Sequence, residues 1–217
     1  MIILIALDME DFIMKAFEYD SGFMKFATLL SRVTLLNLLW MVCCLPVITA
    51  GAATIAQYYA TNRLIAGDMH VFQNFKEGFR LHWKRATVVW VILAILSAVF
   101  FMDYRIVTTT DIPGKTALIV ISVLAFITLV MGMLWIYPVM INFTGTMKEI
   151  LFNAFVFAFM YAPVTLIAAG FYALTGFLFV KFLIARGLVF LFGQGMIVYA
   201  ILNLYEKVFQ KYRNKEN

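Results

Sequence analysis

Two adjacent cysteines offer the most obvious reactive chemistry in this sequence. Cys43 and Cys44 lie in the segment LLWMVCCLPVITAGAAT and are the two cysteines of the chain. Side chains of neighbouring residues diverge by about 100° on a helix, and a disulfide between adjacent cysteines is strained. A structural zinc site needs about four ligands, and the two histidines, His70 and His82, lie in a separate polar segment. We therefore interpret the cysteines as packing residues and expect neither a metal nor a cofactor.

The same segment predicts a break in a helix. Pro46 lacks a backbone donor and disfavours helix at the residue before it. A run of small residues follows, and within it Thr49 and Gly51 favour the close approach of two helix backbones. We expect a helix, a break and a second, tightly packed helix. Pro163 predicts another interruption, near the middle of a later apolar segment.

Composition places these elements in a membrane. Hydrophobic residues make up 64% of the 217 residues and charged residues 13%, whereas soluble domains have about 45–50% and about 25%. Several apolar segments reach the roughly 18 residues needed to span a bilayer, and none alternates as a barrel strand does. Backbone groups in lipid must be satisfied internally, so the segments are helices. The expected fold is an all-α, polytopic transmembrane bundle.

We expect one transmembrane domain, residues 17–205, followed by a basic cytoplasmic tail, residues 206–217. Five or six helices cross the membrane, depending on residues 47–66, which are only moderately apolar. The predicted membrane helices are about 26–45, 47–66, 86–107, 116–137, 151–174 and 179–205, with an interfacial amphipathic helix at about 71–85.

Basic residues predict the orientation. Of the 17 lysines and arginines, five lie in the 61–85 segment and four in the tail. Cytoplasmic loops of membrane proteins carry an excess of Lys and Arg, so both regions are expected in the cytoplasm. Six spans would also place the N-terminus inside, and five would place it outside. The expected location is a bacterial inner membrane with a cytoplasmic C-terminus.

Three motifs in order resemble the YesL-like family. They are FEYDSGFMKF, LLNLLWMVCCLPVITAGAAT and FKEGFRLHWKRATVVW. The resemblance implies a small bacterial cytoplasmic-membrane protein with a domain of unknown function, commonly encoded near carbohydrate-uptake systems. It implies no established activity and no catalytic residues. Residues 1–16 fall upstream of the usual family start, and are either a true extension or the product of a start codon chosen too early.

The stretch VFQNFKEGFRLHWKRA has two stripes at helical spacing. Aromatic and basic residues recur every three or four positions on adjacent faces. They are Phe72, Phe75, Phe79 and Trp83, beside Lys76, Arg80 and Lys84. Such a helix lies in the headgroup layer, where anionic lipid attracts it; the alternative is docking to a partner protein. Nucleic acid is a poor rival, because the segment adjoins a membrane span.

Polar side chains within the apolar segments predict a polar site inside the membrane. Asn37, Gln57 and Gln194 are amides at membrane depth, and hydrogen bonds between helices explain such residues. Lys181 and Arg186 lie near the outer end of the last predicted span. An intramembrane charge indicates a functional site, and the competing interpretation is that both side chains snorkel to the headgroups.

No nucleotide loop, metalloprotease motif or nucleophile elbow occurs in the sequence. We therefore expect no enzyme. The expected role is an accessory component associated with carbohydrate uptake or sensing, whose partner is a sugar-transport permease or a sensor protein. The alternative is a small oligomeric transporter or channel that acts on its own.

Overall fold

The computed structural model describes residues 22–109 and 114–213, and every regular element in them is helical. This confirms the all-α prediction. The helices are α1 (Gly22–Cys44), α2 (Ala50–Ile65), α3 (Val71–Thr109), α4 (Lys115–Asn142), α5 (Met147–Met160), α6 (Ala162–Lys181), α7 (Leu183–Leu188) and α8 (Gln194–Arg213). A 3-10 helix, Val47–Thr49, precedes α2, and a π-helical segment, Val189–Gly193, joins α7 to α8. The expected extension, residues 1–16, and the end of the tail, residues 214–217, lie outside the described residues.

Five segments of the described chain are long and apolar enough to cross a membrane, as expected for a multi-pass membrane protein. They are α1, α3, α4, α6 and the stretch Leu183–Tyr212. The second predicted span corresponds to α2, which has 16 residues. Its length of about 24 Å is shorter than the roughly 30 Å of the hydrocarbon core. Whether residues 47–66 cross the membrane stays a prediction.

Helix α3 differs from the prediction, because it joins two elements that we expected to be separate. The interfacial helix at 71–85 and the span at 86–107 form one unbroken helix of 39 residues. No glycine or proline lies between Trp83 and Thr109, so the helix has no reason to end at residue 86. At about 58 Å, α3 is roughly twice as long as the hydrocarbon core is thick. Residues 71–85 are therefore the first part of a longer helix and not a separate one, and their place at the membrane interface stays a prediction.

The predicted helix 151–174 is divided into α5 and α6. Helix α5 begins after a capping box between Thr146 and Glu149 and ends at Met160. Tyr161 leaves the helical conformation, and Pro163 lies in the first turn of α6. A proline there removes an N–H group that would have no helical partner. Pro163 thus begins a helix, and the interruption lies just before it.

The last predicted helix, 179–205, also differs. Phe182 is extended, so α6 ends at Lys181 and a new helix begins at Leu183. The five residues of the π-helical segment then separate α7 from α8. Single π-helical turns are frequent at functional sites, and this one is bound by a side chain of α1.

Contacts along α1 and α2 fix their direction. Trp40, near the end of α1, hydrogen-bonds Thr54, near the start of α2. Arg32, in the first half of α1, contacts the sulfur of Met69, which follows α2. The two helices are therefore antiparallel, and the first half of α1 lies beside the end of α2. Helix α2 also packs along α3, α4 and α8.

Candidate functional site

Two glycines bring α2 and α3 into backbone contact. A Cβ atom on Gly51 would lie 2.5 Å from the Cβ atom of Trp90 and 2.6 Å from the carbonyl oxygen of Ala86. A Cβ atom on Gly78 of α3 would lie 2.7 Å from the Cβ atom of Tyr59. Small residues of this kind let helices approach closely in lipid. The first half of α3 is thus fixed along the length of α2.

Thr49 closes the break between α1 and α2. Its hydroxyl group donates to the carbonyl oxygens of Cys43, at 2.6 Å, and Pro46, at 2.8 Å. Pro46 is extended, and the 3-10 helix begins directly after it. These bonds satisfy carbonyl groups that the break would otherwise leave open. The apolar side chains of the corner, among them Leu45 and Ile48, are exposed.

A groove of about 720 Å³ opens between α1, this corner and α3. We call it the basal groove. Its lining is mostly apolar, and its two charged residues are both basic. The lining residues are Leu39, Cys43, Ile48, Thr49, Ala52, Phe72, Phe75, Lys76, Phe79, Arg80, Trp83 and Thr87. Both cysteines of the chain, Cys43 and Cys44, are free thiols.

The basal groove changes character along its length. Lys76 and Arg80 are exposed and lie toward the start of α3. Thr87 lies farther along α3, near Ala86, which contacts the start of α2. The apolar corner that precedes α2 therefore lies at the Thr87 end of the groove. One end is basic and the other is apolar.

The aromatic stripe of α3 is divided between surface and core. Phe72 and Trp83 are 61% and 47% exposed, whereas Phe75 is only 5% exposed. Phe75 packs among apolar side chains of α1 and α2, and Phe79 packs against the same cluster. The stripe is therefore not one continuous lipid-facing surface. Lys84 lies over the Trp83 ring, with its Nζ atom 5.7 Å from the ring centroid.

The turn between α2 and α3 lies at the basic end of the groove. Gly67 adopts a left-handed conformation there, with φ of 94°. Asp68 accepts hydrogen bonds from the backbone N–H of His70 at 3.1 Å and from its ring at 2.9 Å. These bonds lower the pKa of the Asp68 carboxyl group below its ordinary value. At neutral pH the Asp68 side chain is therefore an ionised carboxylate that can accept both bonds.

Asn37 binds the π-helical segment. Its Nδ2 atom donates to the carbonyl oxygens of Phe190 at 2.8 Å and Leu191 at 2.9 Å. Its Oδ1 atom accepts the backbone N–H of Gly195 at 3.0 Å. The side chain is almost fully buried. Asn37 therefore satisfies backbone groups that the widened helical turn leaves without their usual partners.

Two tyrosines join the predicted amides in a polar network. The hydroxyl groups of Tyr58 and Tyr172 are 3.4 Å apart, within hydrogen-bond distance of each other. A cleft of about 480 Å³ lies next to them, and Asn37, Tyr172 and Gln194 are among its lining residues. The structure thus brings two of the predicted polar residues, Asn37 and Gln194, to one cleft. A tyrosine in an apolar segment does not by itself indicate a polar site, so the sequence does not predict that these two residues take part.

Gln57 is fully buried, and its two side-chain polar atoms have no hydrogen-bond partner among the described residues. Thr61, one turn later on α2, is also fully buried without a partner for its hydroxyl group in that part of the chain. Buried polar groups normally have partners. The two residues therefore form a buried polar pair on α2.

Lys181 and Arg186 lie apart from this network. Both are exposed. Arg186 donates from Nε to the carbonyl oxygen of Phe179 at 2.9 Å and from Nη2 to that of Val180 at 3.2 Å. The guanidinium group thus caps the last carbonyl groups of α6, where a positive charge is favourable. The predicted grouping of these two charges with the amides is not formed.

Comparison with known proteins finds one family and one relative to which the chain is similar. Residues 33–104 match a family described as a protein of unknown function, DUF624. The chain is 27% identical over 160 residues to the uncharacterized protein YesL of Bacillus subtilis (strain 168), with 69% of this chain and 73% of that protein covered. The chain is similar to both. The predicted resemblance is confirmed, and no solved structure matches the chain significantly.

The matched segment contains the whole basal groove of this YesL-like protein. It begins within α1 at Val33 and ends within α3 at Tyr104, and the groove is lined by residues between Leu39 and Thr87. Tyr172 and Gln194 of the polar network lie outside it. The basal groove is therefore the part of the candidate site that belongs to the family domain.

Proposed function

We propose that this YesL-like protein is an accessory component of a larger membrane assembly and has no catalytic activity of its own. A helical hairpin supports this role most directly. We call it the arm, and it consists of residues 91–109 of α3 and 115–128 of α4. Within these residues only Val107 is buried. Large apolar side chains are exposed on both helices, including Val99 and Ile121.

The two helices of the arm hold each other in a defined arrangement. Phe100 and Phe126 make an edge-to-face contact, with ring centroids 6.1 Å apart. Ser122 hydrogen-bonds the Asp103 carboxylate, and Lys115 Nζ donates to the carbonyl oxygen of Thr108 at 3.2 Å. The arm therefore presents a preformed surface instead of two independent helices.

That surface suits contact with another membrane protein. Exposed apolar surface marks membrane or protein interaction sites, and the arm exposes more than one face of each helix. Ala94 and Ala98 are exposed one turn apart on α3, and small residues at this spacing favour close helix association in lipid. We propose that transmembrane helices of a partner pack against the arm.

The class of partner rests on the family resemblance. Because YesL-like proteins are expected near carbohydrate-uptake systems, we propose a sugar-transport permease or a sensor protein as the partner. The proposed location is the bacterial inner membrane, with the basic half of α3 and the C-terminus in the cytoplasm. The five basic residues of the 61–85 segment support this orientation.

Photo-crosslinking in native membranes tests the accessory role. A photoreactive amino acid is placed at Val99 or Ile121 on the arm, and at Leu166 or Phe177 on α6 as a control. All four side chains are more than half exposed. We expect discrete heteromeric products from the arm positions and few from α6, with a permease or sensor identified by mass spectrometry. Equal, diffuse crosslinking from all four positions would contradict the proposal.

The polar network favours a second function, transport by the protein itself. Polar residues at membrane depth mark solute or ion pathways, and Asn37, Tyr172 and Gln194 line one cleft. Solute uptake by the purified protein in liposomes, lost on Gln194→Leu, would support transport. The same experiment without uptake, together with crosslinks from the arm, would leave the accessory role as the explanation.

A further inference from the structure

We propose that the basal groove binds one anionic glycerophospholipid of the inner leaflet. The phosphate lies between Lys76 and Arg80, and acyl-chain carbon fills the apolar end near Ile48 and Thr87. This site is independent of the accessory role, because it lies on the opposite half of α3 from the arm. Three features of the groove support a lipid as its occupant.

The first feature is charge. Lys76 and Arg80 lie one helical turn apart and both line the groove, so their side chains can reach one phosphate group. A guanidinium group binds phosphate oxygens in a bidentate manner, and an ammonium group adds a point charge. Within the part of the chain that the structure describes, no acidic residue lines the groove. Among the described residues, neither Lys76 nor Arg80 forms an ion pair.

The second feature is the direction of the polarity gradient. Along α3 the groove passes from Lys76 and Arg80, past Trp83, to Thr87 and the exposed apolar corner. The same helix then continues into the lipid-exposed span. The basic end therefore faces the aqueous side and the apolar end faces the hydrocarbon, which is the arrangement of a phospholipid in its own leaflet.

The third feature is depth. Helix α3 is about 58 Å long, and the hydrocarbon core accounts for about 30 Å of it. Trp83 and Trp90 lie where the basic first half of α3 gives way to its apolar second half, and this stretch marks the membrane–water interface on the proposed cytoplasmic side. Tryptophan is enriched at that interface. The groove then opens at headgroup level, and its volume of about 720 Å³ is within the range of ligand sites.

Native mass spectrometry of the full-length protein tests the site. The protein is exchanged into nanodiscs of phosphatidylcholine with phosphatidylglycerol, and the phosphatidylglycerol retained after mild delipidation is measured. Two electrostatic contacts are removed in K76Q/R80Q, so we expect retention to fall about tenfold or more. The control K148Q/K207Q removes the same charge from two exposed lysines outside the groove, and it should retain phosphatidylglycerol like the wild type. An equal loss in both variants would overturn the specific site.

Cys43 supplies an independent readout, because its thiol lines the groove. In a Cys44→Ala background, phosphatidylglycerol should slow maleimide labelling of Cys43, and K76Q/R80Q should abolish this protection. Equal protection by phosphatidylcholine alone would overturn the requirement for an anionic lipid. A further variant tests the chain's own N-terminal segment. It lacks residues 2–16, which include acidic residues. Protection that needs no phosphatidylglycerol and disappears on this deletion would make the chain's own N-terminal segment the occupant, and would also overturn the proposal.

Discussion

Trp135 of α4 lies flat against Tyr205 of α8, with ring centroids 3.7 Å apart and ring planes within 6° of parallel. Both side chains are fully buried. The Trp135 Nε1 atom donates to Thr165 Oγ1 of α6 at 2.8 Å. One side chain thus connects three helices of the bundle. Phe157 stacks on the same indole and adds α5 to the contact.

Trp135→Ala is expected to lower the free energy of unfolding by about 3–5 kcal/mol, because a buried aromatic side chain is replaced by a cavity. Tyr205→Phe should have little effect or stabilise slightly, since the buried Tyr205 hydroxyl has no partner among the described residues. Thermal unfolding of the purified protein in detergent measures both changes. A large loss of stability in Tyr205→Phe would show that the hydroxyl group has a partner.

Gly51→Leu is expected to disrupt the packing of α2 on α3. Its Cβ atom would already lie within 2.6 Å of backbone and side-chain atoms of α3. Gly170→Leu is the matched control, because an added Cβ atom there meets nothing within 4 Å. Expression level and size-exclusion profile report the difference. Similar profiles for the two variants would contradict close packing at Gly51.

Asn37→Leu should destabilise the π-helical segment by about 1–3 kcal/mol, because buried backbone groups lose their partners. Asn203→Leu is the control, since that amide donates to the carbonyl oxygen of Tyr199 on its own helix and has no other hydrogen bond within residues 22–109 and 114–213. Hydrogen exchange of residues 189–195 measures the effect. Faster exchange there is expected for Asn37→Leu and not for the control.

The proposed orientation of the chain predicts which introduced cysteines an impermeant thiol reagent reaches in intact cells. In a background without Cys43 and Cys44, Gln73→Cys should be labelled only after permeabilisation. Asn74 is a poor position for the introduced cysteine, because it is only 5% exposed. A cysteine there would be shielded from the reagent on either side of the membrane. Thr116→Cys, at the other end of the bundle, should be labelled directly.

The same experiment locates the start of α1. Because α1 and α2 are antiparallel and Arg32 contacts Met69, Gly22 is expected on the same side as Gln73. Gly22→Cys should therefore be protected in intact cells, whether the α1–α2 pair crosses the membrane twice or enters and leaves on one side. Labelling of Gly22→Cys from outside would require an odd number of crossings between Gly22 and Gln73.

The sequence is most informative where a residue constrains the conformation of its own backbone. The break at Pro46 follows from a missing donor, and apolar length alone predicts most of the membrane helices. Boundaries were less accurate where composition changes without a change in helix propensity. The run of basic residues ends at Arg85, but no glycine or proline follows it to stop the helix, so α3 continues. Pro163 suits a first turn as well as a kink, and the local sequence does not distinguish the two.

Residues that meet across the bundle were less predictable. Asn37 binds groups more than 150 positions away, and no local pattern indicates which backbone it satisfies. The aromatic stripe of α3 has a helical period, but that period does not say which of its members face other helices. Phe75 is buried because α1 and α2 fold over it. The partners of Tyr58 and Trp135 likewise depend on the tertiary arrangement.

The continuity of α3 has a mechanical consequence. One helix, α3, carries a wall of the basal groove near its start and residues 91–109 of the arm at its end. No glycine or proline separates Trp83 from Thr109. Because the first half of α3 is packed on α2, a tilt imposed on the arm is expected to move Lys76 and Arg80 only together with α2. By thermodynamic linkage, a ligand that favours one position of the groove wall also favours the corresponding position of the arm. The coupling free energy is the same in both directions. The groove wall and the arm are thus joined by one continuous helix.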